Sequence, residues 1–130
     1  MRRVSKNELA GIIEKHGKWL RGEDGGERAD LRYVDLTGED LSGARMTGAD
    51  LTGANVAGAR LIWAKLGGAV LREANLTEAD LSWADLAGAN LTGADLTGAD
   101  LGGAVLRETD LSGARMGGAK LEGAYSERRT

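Results

Sequence analysis

The strongest constraint in this sequence is a period of five residues. A Leu, Met or Val recurs at every fifth position from Leu31 to Leu121, which gives nineteen centres without a slip. Apolar residues spaced five apart form no stripe on an α-helix and do not follow the two-residue alternation of a strand. A chain that turns by about 90° after every five residues satisfies the period, because four short sides close a coil of about twenty residues and the coils can stack. The period therefore predicts a short-sided solenoid.

The other positions of the five-residue unit fit such a coil. Ala lies two residues before nearly every centre, where a tight corner leaves room only for a small side chain; the exceptions are Val34, Glu39 and Thr109. Gly is frequent two residues after the centre, where a repeated turn needs backbone freedom. Polar residues such as Thr, Ser, Asp and Asn fill the outward positions. We expect the centres and the Ala corners to form the core.

The unit A-(D/N)-L-x-G resembles the pentapeptide-repeat family, whose pattern is a central Leu or Phe preceded by Asp or Asn and then by Ala. The resemblance covers residues 29 to 124 and implies an all-β fold, a right-handed quadrilateral β-helix. Period five alone implies only a short-sided solenoid. The sequence departs from the family pattern by having no Phe centres and no insertion between coils.

Residues 1 to 28 precede the repeats and are predicted to cap the open N-terminal end of the solenoid. Residues 5 to 21 have the pattern of an amphipathic helix that begins with a capping box of Ser5 and Glu8 and ends at Gly22. Its apolar face is predicted to consist of Leu9, Ile12, Ile13, His16 and Leu20. His16 is the only histidine, and packing or capping is the favoured role for it over a place in a functional site.

The repeat pattern fails after Ala124, where residues 125 to 130 form a C-terminal tail. Tyr125 stands where Asp or Asn belongs and Ser126 where Leu belongs. This tail leaves little to cover the backbone edge of the last coil, and an open edge pairs readily with another chain. We therefore expect a homodimer through the C-terminal end, with Leu121 and Tyr125 at the contact, as the family resemblance also implies.

Two tryptophans give the outer surface its one aromatic cluster. Trp63 and Trp83 are twenty residues apart, so they are predicted to stack in neighbouring coils, and Ile62 adjoins the first. Exposed aromatic side chains can anchor a protein interface. The alternative is that the two rings cover each other and have no further role.

The charge pattern distinguishes between the possible classes of binding partner, nucleic acid and protein. The formal net charge is -3, so direct binding to nucleic acid is not expected. Some pentapeptide-repeat proteins resemble duplex DNA through long acidic rows and bind DNA gyrase or topoisomerase IV. Two faces here are mainly acidic or neutral, but rows of mixed sign interrupt the pattern. The acidic or neutral residues are Asp30, Asp50, Asn90 and Asp110 on one face and Asp35, Asn55, Asn75 and Asp95 on the other. The favoured function is a protein-interaction or structural scaffold with an unidentified partner, and the alternative is a DNA-mimicking topoisomerase binder.

An enzyme is the least favoured class. The chain has no Cys, and the repeats contain no His, so a hydroxyl–imidazole couple or an imidazole metal site cannot form there. No catalytic, cofactor-binding or metal-binding residues are predicted, and no cofactor is expected. The sequence has neither the apolar stretch of a secretory signal nor a run long enough to span a membrane, so we expect a cytoplasmic protein without membrane contacts.

Overall fold

The computed structural model describes residues 1 to 126, which form one helix, two short strands and a long stack of turns. Strand β1 spans Arg2–Arg3, helix α1 spans Lys6–Leu20 and strand β2 spans Val34–Asp35. β1 pairs in parallel with β2. Beyond β2, the chain repeats one local conformation in every five-residue unit.

Successive coils lie parallel to each other at an offset of twenty residues. Isolated parallel bridges join residues twenty apart, from Asp30 with Asp50 to Val105 with Tyr125. Backbone hydrogen bonds also join each coil to the next; for example, the N–H of Leu81 donates to the carbonyl of Asp100 at 2.7 Å. The predicted coil of twenty residues is therefore present in the hydrogen bonding. The backbone groups of inner coils pair with the coils on both sides.

Every unit contains a turn of the same kind. The N–H at the Ala position donates to the carbonyl of the preceding centre, as from Ala84 to Leu81 at 3.0 Å. The residue two positions after the centre has a positive φ in all nineteen units, between 56° at Glu108 and 76° at Gly48. A bond from the first to the fourth residue with positive φ at the third is the signature of a type II turn. This geometry explains the recurrent Gly.

The core is a column of centres lined by the Ala corners. The centres from Leu31 to Leu106 are buried, and the Ala corners from Ala49 to Ala104 are at most 1% exposed. In the last coil this changes: Leu111 and Met116 are half-buried and Leu121 is 45% exposed. The core therefore loses its cover at the C-terminal end.

The Asp or Asn before each centre braces the following turn. Its Oδ1 accepts the N–H of the residue two positions later, at 3.0 Å from Thr97 to Asp95 and at 3.1 Å from Ala57 to Asn55. This bond forms in each of the twelve units that have Asp or Asn at that position. Such Asx turns are a common use of these short polar side chains.

The N-terminal helix forms as predicted, with two corrections. Ser5 is its N-cap and accepts the N–H of Glu8 at 3.0 Å. The Glu8 carboxylate binds Arg2 at 3.0 Å, so the reciprocal half of the capping box is not made. Leu9 is buried against the first coil, but Leu20 is 42% exposed, and its assignment to the apolar face was wrong. Leu20 is the last helical residue, where the chain leaves the end of the solenoid.

His16 ties this helix to the first coil. The ring is fully buried; its Nδ1 accepts the N–H of Ala29 at 2.9 Å, and its Nε2 lies 2.7 Å from the carbonyl of Thr47. Because Nδ1 acts as acceptor, the proton resides on Nε2, which donates to Thr47. Farther along the stack, the Ala N–H bonds to the centre of the preceding unit and the carbonyl equivalent to that of Thr47 accepts from the preceding coil, so the imidazole replaces both partners at the first coil.

Strand β1 is not predicted by the sequence pattern. Arg2 lies opposite Val34 and Arg3 opposite Asp35, and a 2.8 Å ion pair joins Arg3 to Asp35. Val4 follows with 5% exposure, packed into the core. The N-terminal cap is therefore a strand on one side of the first coil together with a helix across its end.

Candidate functional site

The tryptophan pair is the main exposed aromatic feature of the solenoid wall. Trp63 and Trp83 are 62% and 54% exposed, and Ile62 beside them is half-buried. The two indole rings are stacked, with centroids 5.5 Å apart and an angle of 14° between their planes. The structure thus brings the two predicted tryptophans together, and Ile62 is next to Trp63 in the chain.

Turn geometry explains why these rings point outward. Both tryptophans occupy the third position of a type II turn and have a φ of 62°. This position lies one residue before the Ala corner, and a side chain there projects from the wall. The left-handed region costs an ordinary L-residue roughly 1–2 kcal/mol, and Gly avoids that cost.

Trp83 also contacts Gly103 of the next coil, which was not predicted from the sequence. A Cβ on Gly103 would lie 2.5 Å from Cε3 of Trp83, so the ring lies against the Gly of the next coil. Tyr33 lies in the same way against Gly53. The sequence signal for this contact is a Gly twenty residues after a large residue at the turn position. Trp83 therefore packs against the next coil at Gly103 as well as against the ring of Trp63.

The other side of the pair is open. Gly43 precedes Trp63 by twenty residues, and a Cβ built on it would meet nothing within 4 Å. The outer face of Trp63 therefore has free space beside it, in which a partner's side chain could stack.

Charges of both signs surround the aromatic surface. On one side, the bridges place Arg60 between Asp40 and Asp80. On the other, they place Lys65 between Arg45 and Asp85. The surface is thus an apolar centre with a mixed polar rim, which is the usual composition of a protein interface.

The two faces expected to be mainly acidic are interrupted. Val70 lies between Asp50 and Asn90 in one column, and Arg115 follows Asp95 in the other. Many of the carboxylates also serve as turn braces. The Arg32 guanidinium, which binds Asp30 at 2.8 Å, lowers the pKa of that carboxyl to about 2.

The C-terminal end is the second candidate surface. Tyr125 continues the ladder, since its carbonyl accepts the N–H of Leu106 at 2.6 Å, but its side chain is 53% exposed beside the exposed Leu121. The backbone N–H groups of Leu111, Met116 and Leu121 have no partner among residues 1 to 126. Within residues 1 to 126 this edge of the stack is unpaired.

Other kinds of site are not found in the part of the chain described. Residues 1 to 126 contain no group of three or more His, Cys, Asp or Glu side chains placed to hold a metal ion. Within the same residues, α1 is too short and too polar to cross a membrane.

Solved structures with similar chains are themselves pentapeptide repeat proteins. One from the thylakoid lumen of Arabidopsis thaliana is 34% identical over 76% of this chain and 71% of that chain, with a TM-score of 0.51. Rfr23 from the cyanobacterium Cyanothece 51142 is 30% identical over 76% and 84%, with a TM-score of 0.40. QnrB1, a plasmid-mediated fluoroquinolone resistance protein, is 21% identical over 78% and 66%, with a TM-score of 0.40.

No curated protein matches the sequence. The family model described as pentapeptide repeats, by contrast, matches residues 27–61, 57–93 and 89–125, with eight copies. These ranges include the whole stack of coils. The chain therefore belongs to the pentapeptide-repeat family.

Proposed function

We propose that this protein is a non-enzymatic scaffold that binds a protein partner through a docking surface formed by Ile62, Trp63 and Trp83. The observation that carries the proposal is the stacked, exposed tryptophan pair held at positive φ. Tryptophan is enriched among the residues that dominate binding energy at protein interfaces.

The backbone strain supports a role for these side chains. Each tryptophan replaces the Gly that most units have at the turn position. A Gly would relieve about 1–2 kcal/mol of left-handed strain at each site. Strained residues that persist tend to occupy functional surfaces.

The proposed architecture is a right-handed, four-sided β-helix, as in the family. Four turns per twenty-residue offset support four sides. Because each coil is bonded to its neighbours along the whole stack, such a rod would present the docking surface with little loss of backbone entropy on binding.

The test compares two double variants that change turn residues in the same way. Trp63→Gly/Trp83→Gly removes the rings and the strain. Glu73→Gly/Glu78→Gly removes the same kind of strain at the turn position of two other units. Partners captured from an extract of the source organism with the unchanged protein would be identified, and their affinities measured by calorimetry. We expect the tryptophan variant to lose binding by tenfold or more (about 1.4 kcal/mol) and the glutamate variant to retain it. Equal affinity of both variants would reject the docking surface.

The second candidate is a DNA-mimicking binder of DNA gyrase or topoisomerase IV. The acidic faces favour it, and the interruptions at Val70 and Arg115 count against it. A supercoiling assay at two salt concentrations separates the candidates, because binding by charge mimicry must weaken as salt rises. Salt-sensitive inhibition would make this candidate the leading one, and we expect none.

A further inference from the structure

A second surface, separate from the tryptophan pair, lies at the N-terminal end. A groove of about 260 Å³ runs between α1 and the first coil. Leu9, Ala10 and Ile13 line it from the helix, and Glu39, Asp40 and Leu41 line it from the coil. Its floor is apolar and its coil side carries two carboxylates.

The backbone along this groove is an unpaired edge. In the second coil, Arg60 donates its N–H to the carbonyl of Glu39 at 2.9 Å and accepts the N–H of Leu41 at 2.7 Å. Asp40 holds the equivalent place one coil earlier. Neither its N–H nor its carbonyl has a partner within residues 1 to 126. The edge can therefore accept one more strand.

The chain itself demonstrates how such an edge is filled. On the adjacent side of the first coil, Arg2 and Arg3 pair in parallel with Val34 and Asp35. The Arg3 guanidinium binds the Asp35 carboxylate at 2.8 Å, and the next side chain, Val4, enters the core. A basic residue followed by an apolar one is thus the complement of this repeat's edge.

The charge at the unpaired edge is suited to the same complement. Glu39 occupies a corner position that Ala fills in most units, and no hydrogen bond or ion pair to its carboxylate is found in the described part of the chain. Asp40 follows it, and Lys6 lies on the helix side. Arg60 of the next coil lies beside Asp40, so Glu39 is the carboxylate at this rim that no ion pair among the described residues neutralises.

We propose that this edge binds an extended, basic peptide segment of a partner protein by strand addition parallel to residues 39 to 41. An Arg of the segment pairs with Asp40 as Arg3 does with Asp35, and the apolar residue after it fills the groove against Leu9 and Ile13. Main-chain hydrogen bonds give such binding its affinity, and the alternating side chains give it specificity. This inference does not depend on the function of the tryptophan pair.

The test uses a labelled peptide containing Arg-Arg-Val between Gly-Ser flanks, with Glu-Glu-Val and Arg-Arg-Ser versions as controls. NMR amide exchange of the full-length protein reports on the Asp40 N–H directly. We expect the Arg-Arg-Val peptide to slow exchange at Asp40 and the two controls to do so at least fivefold less. Glu39→Gln/Asp40→Asn should weaken the peptide affinity about three- to tenfold, because two exposed charge pairs are lost. Asn retains the turn brace, as Asn55 shows in the second coil.

A matched variant locates the binding. Asp35→Asn removes the carboxylate that the chain's own Arg3 binds, and it should leave the slowing at Asp40 unchanged. A peptide that changes amide exchange at Asp35 and not at Asp40 would be displacing β1, and the proposal would fail. No slowing at Asp40 at millimolar peptide would overturn it as well. If amide exchange at Asp40 slows without peptide as the protein concentration rises, a second copy of the chain binds at this edge. That result would also contradict the proposal.

Discussion

At the scale of single residues, the backbone conformation at the third position of each turn restricts which side chains can project there from the solenoid wall. Its φ is positive in every unit, so Gly is the residue without strain there. Six units nevertheless have a large residue at this position. They are Tyr33, Trp63, Glu73, Glu78, Trp83 and Glu108. Tyr33, Glu73, Glu78 and Trp83 lie against the Gly at the same place in the next coil, and Trp63 stacks on Trp83.

The adjacent pair Gly67 and Gly68 separates strain from crowding. An Ala Cβ at Gly68, where φ is 64°, would meet nothing within 4 Å, and one at Gly67 would touch only the Ala87 carbonyl at 3.5 Å. We expect Gly68→Ala to lower the free energy of unfolding by about 1–2 kcal/mol. Gly67→Ala should leave it unchanged or raise it by up to about 1 kcal/mol. Urea unfolding curves measure both, and equal effects would contradict the turn assignment.

The Asx braces predict sensitivity to acid. Hydrogen bonds from the hydroxyls of Thr97 and Ser112 lower the pKa of Asp95 and Asp110. A carboxyl whose pKa is lower in the folded state stabilises the fold above its unfolded pKa, and that contribution is lost as the pH falls through the folded value. For Asp30 the window runs from the ordinary 3.8 down to about 2.

Replacing two of these carboxylates by amides tests the effect. Asn braces the turn in the same way, as Asn75 and Asn90 do. The measurement is the drop in the urea unfolding midpoint between pH 7 and about pH 3. We expect this drop to be smaller for Asp95→Asn/Asp110→Asn than for the unchanged protein. Glu14→Gln, on the exposed surface of α1, is the control and should leave the acid sensitivity as it was. An unchanged sensitivity in the Asp variant would rule out the braces as its source.

At the scale of elements, α1 is held to the solenoid by one polar side chain within an apolar contact. His16 satisfies two backbone groups of different segments, Ala29 and Thr47, that would otherwise be buried without partners. Trp19 packs beside it, with ring centroids 5.2 Å apart. The position of the cap is therefore specified by hydrogen bonds as well as by burial.

Removal of this polar link should be costly. His16→Leu introduces an apolar side chain of comparable size, which leaves the Ala29 N–H and the Thr47 carbonyl unpaired. We expect it to lower the free energy of unfolding by about 2–4 kcal/mol, since each orphaned group costs about 1–3 kcal/mol. Glu14→Leu, on the exposed face of the same helix, should change stability by less than about 0.5 kcal/mol. A similar small effect at both positions, measured by chemical unfolding, would show that His16 does not hold the cap.

At the scale of the whole molecule, the two ends of the solenoid differ. A strand, a helix and His16 close the N-terminal end. In the last described coil Leu121 and Tyr125 are exposed, and N–H groups beside them have no partner within residues 1 to 126. An open edge over an apolar column favours pairing with another chain. We propose that a second copy covers this end.

The dimer is tested by introducing a charge at each end in turn. Leu121→Asp would place a carboxylate in the proposed contact, and Leu20→Asp would place one on a similarly exposed Leu at the other end. Light scattering at micromolar concentration should give a dimer mass for the unchanged protein and for Leu20→Asp, and a monomer mass for Leu121→Asp. A monomer mass for all three would exclude the dimer.

The sequence by itself determined the features that are local to one unit. The coil of twenty residues, the buried centres, the Gly at the turn and the Trp63–Trp83 neighbourhood follow from the period, because every unit repeats the same bonds and twenty residues later the chain returns to the same side. Helix α1 was also predictable, since its capping residue and its apolar spacing are both local.

Only the tertiary structure decided what happens where the period ends or where coils touch. It paired β1 with Val34–Asp35, exposed Leu20 and laid Trp83 against Gly103. A two-residue strand has no sequence pattern of its own, and its pairing comes from an edge that the first coil leaves open. The contact at Gly103 depends on the direction in which the Trp83 side chain leans; a Gly twenty residues later permits this contact but does not by itself set the direction.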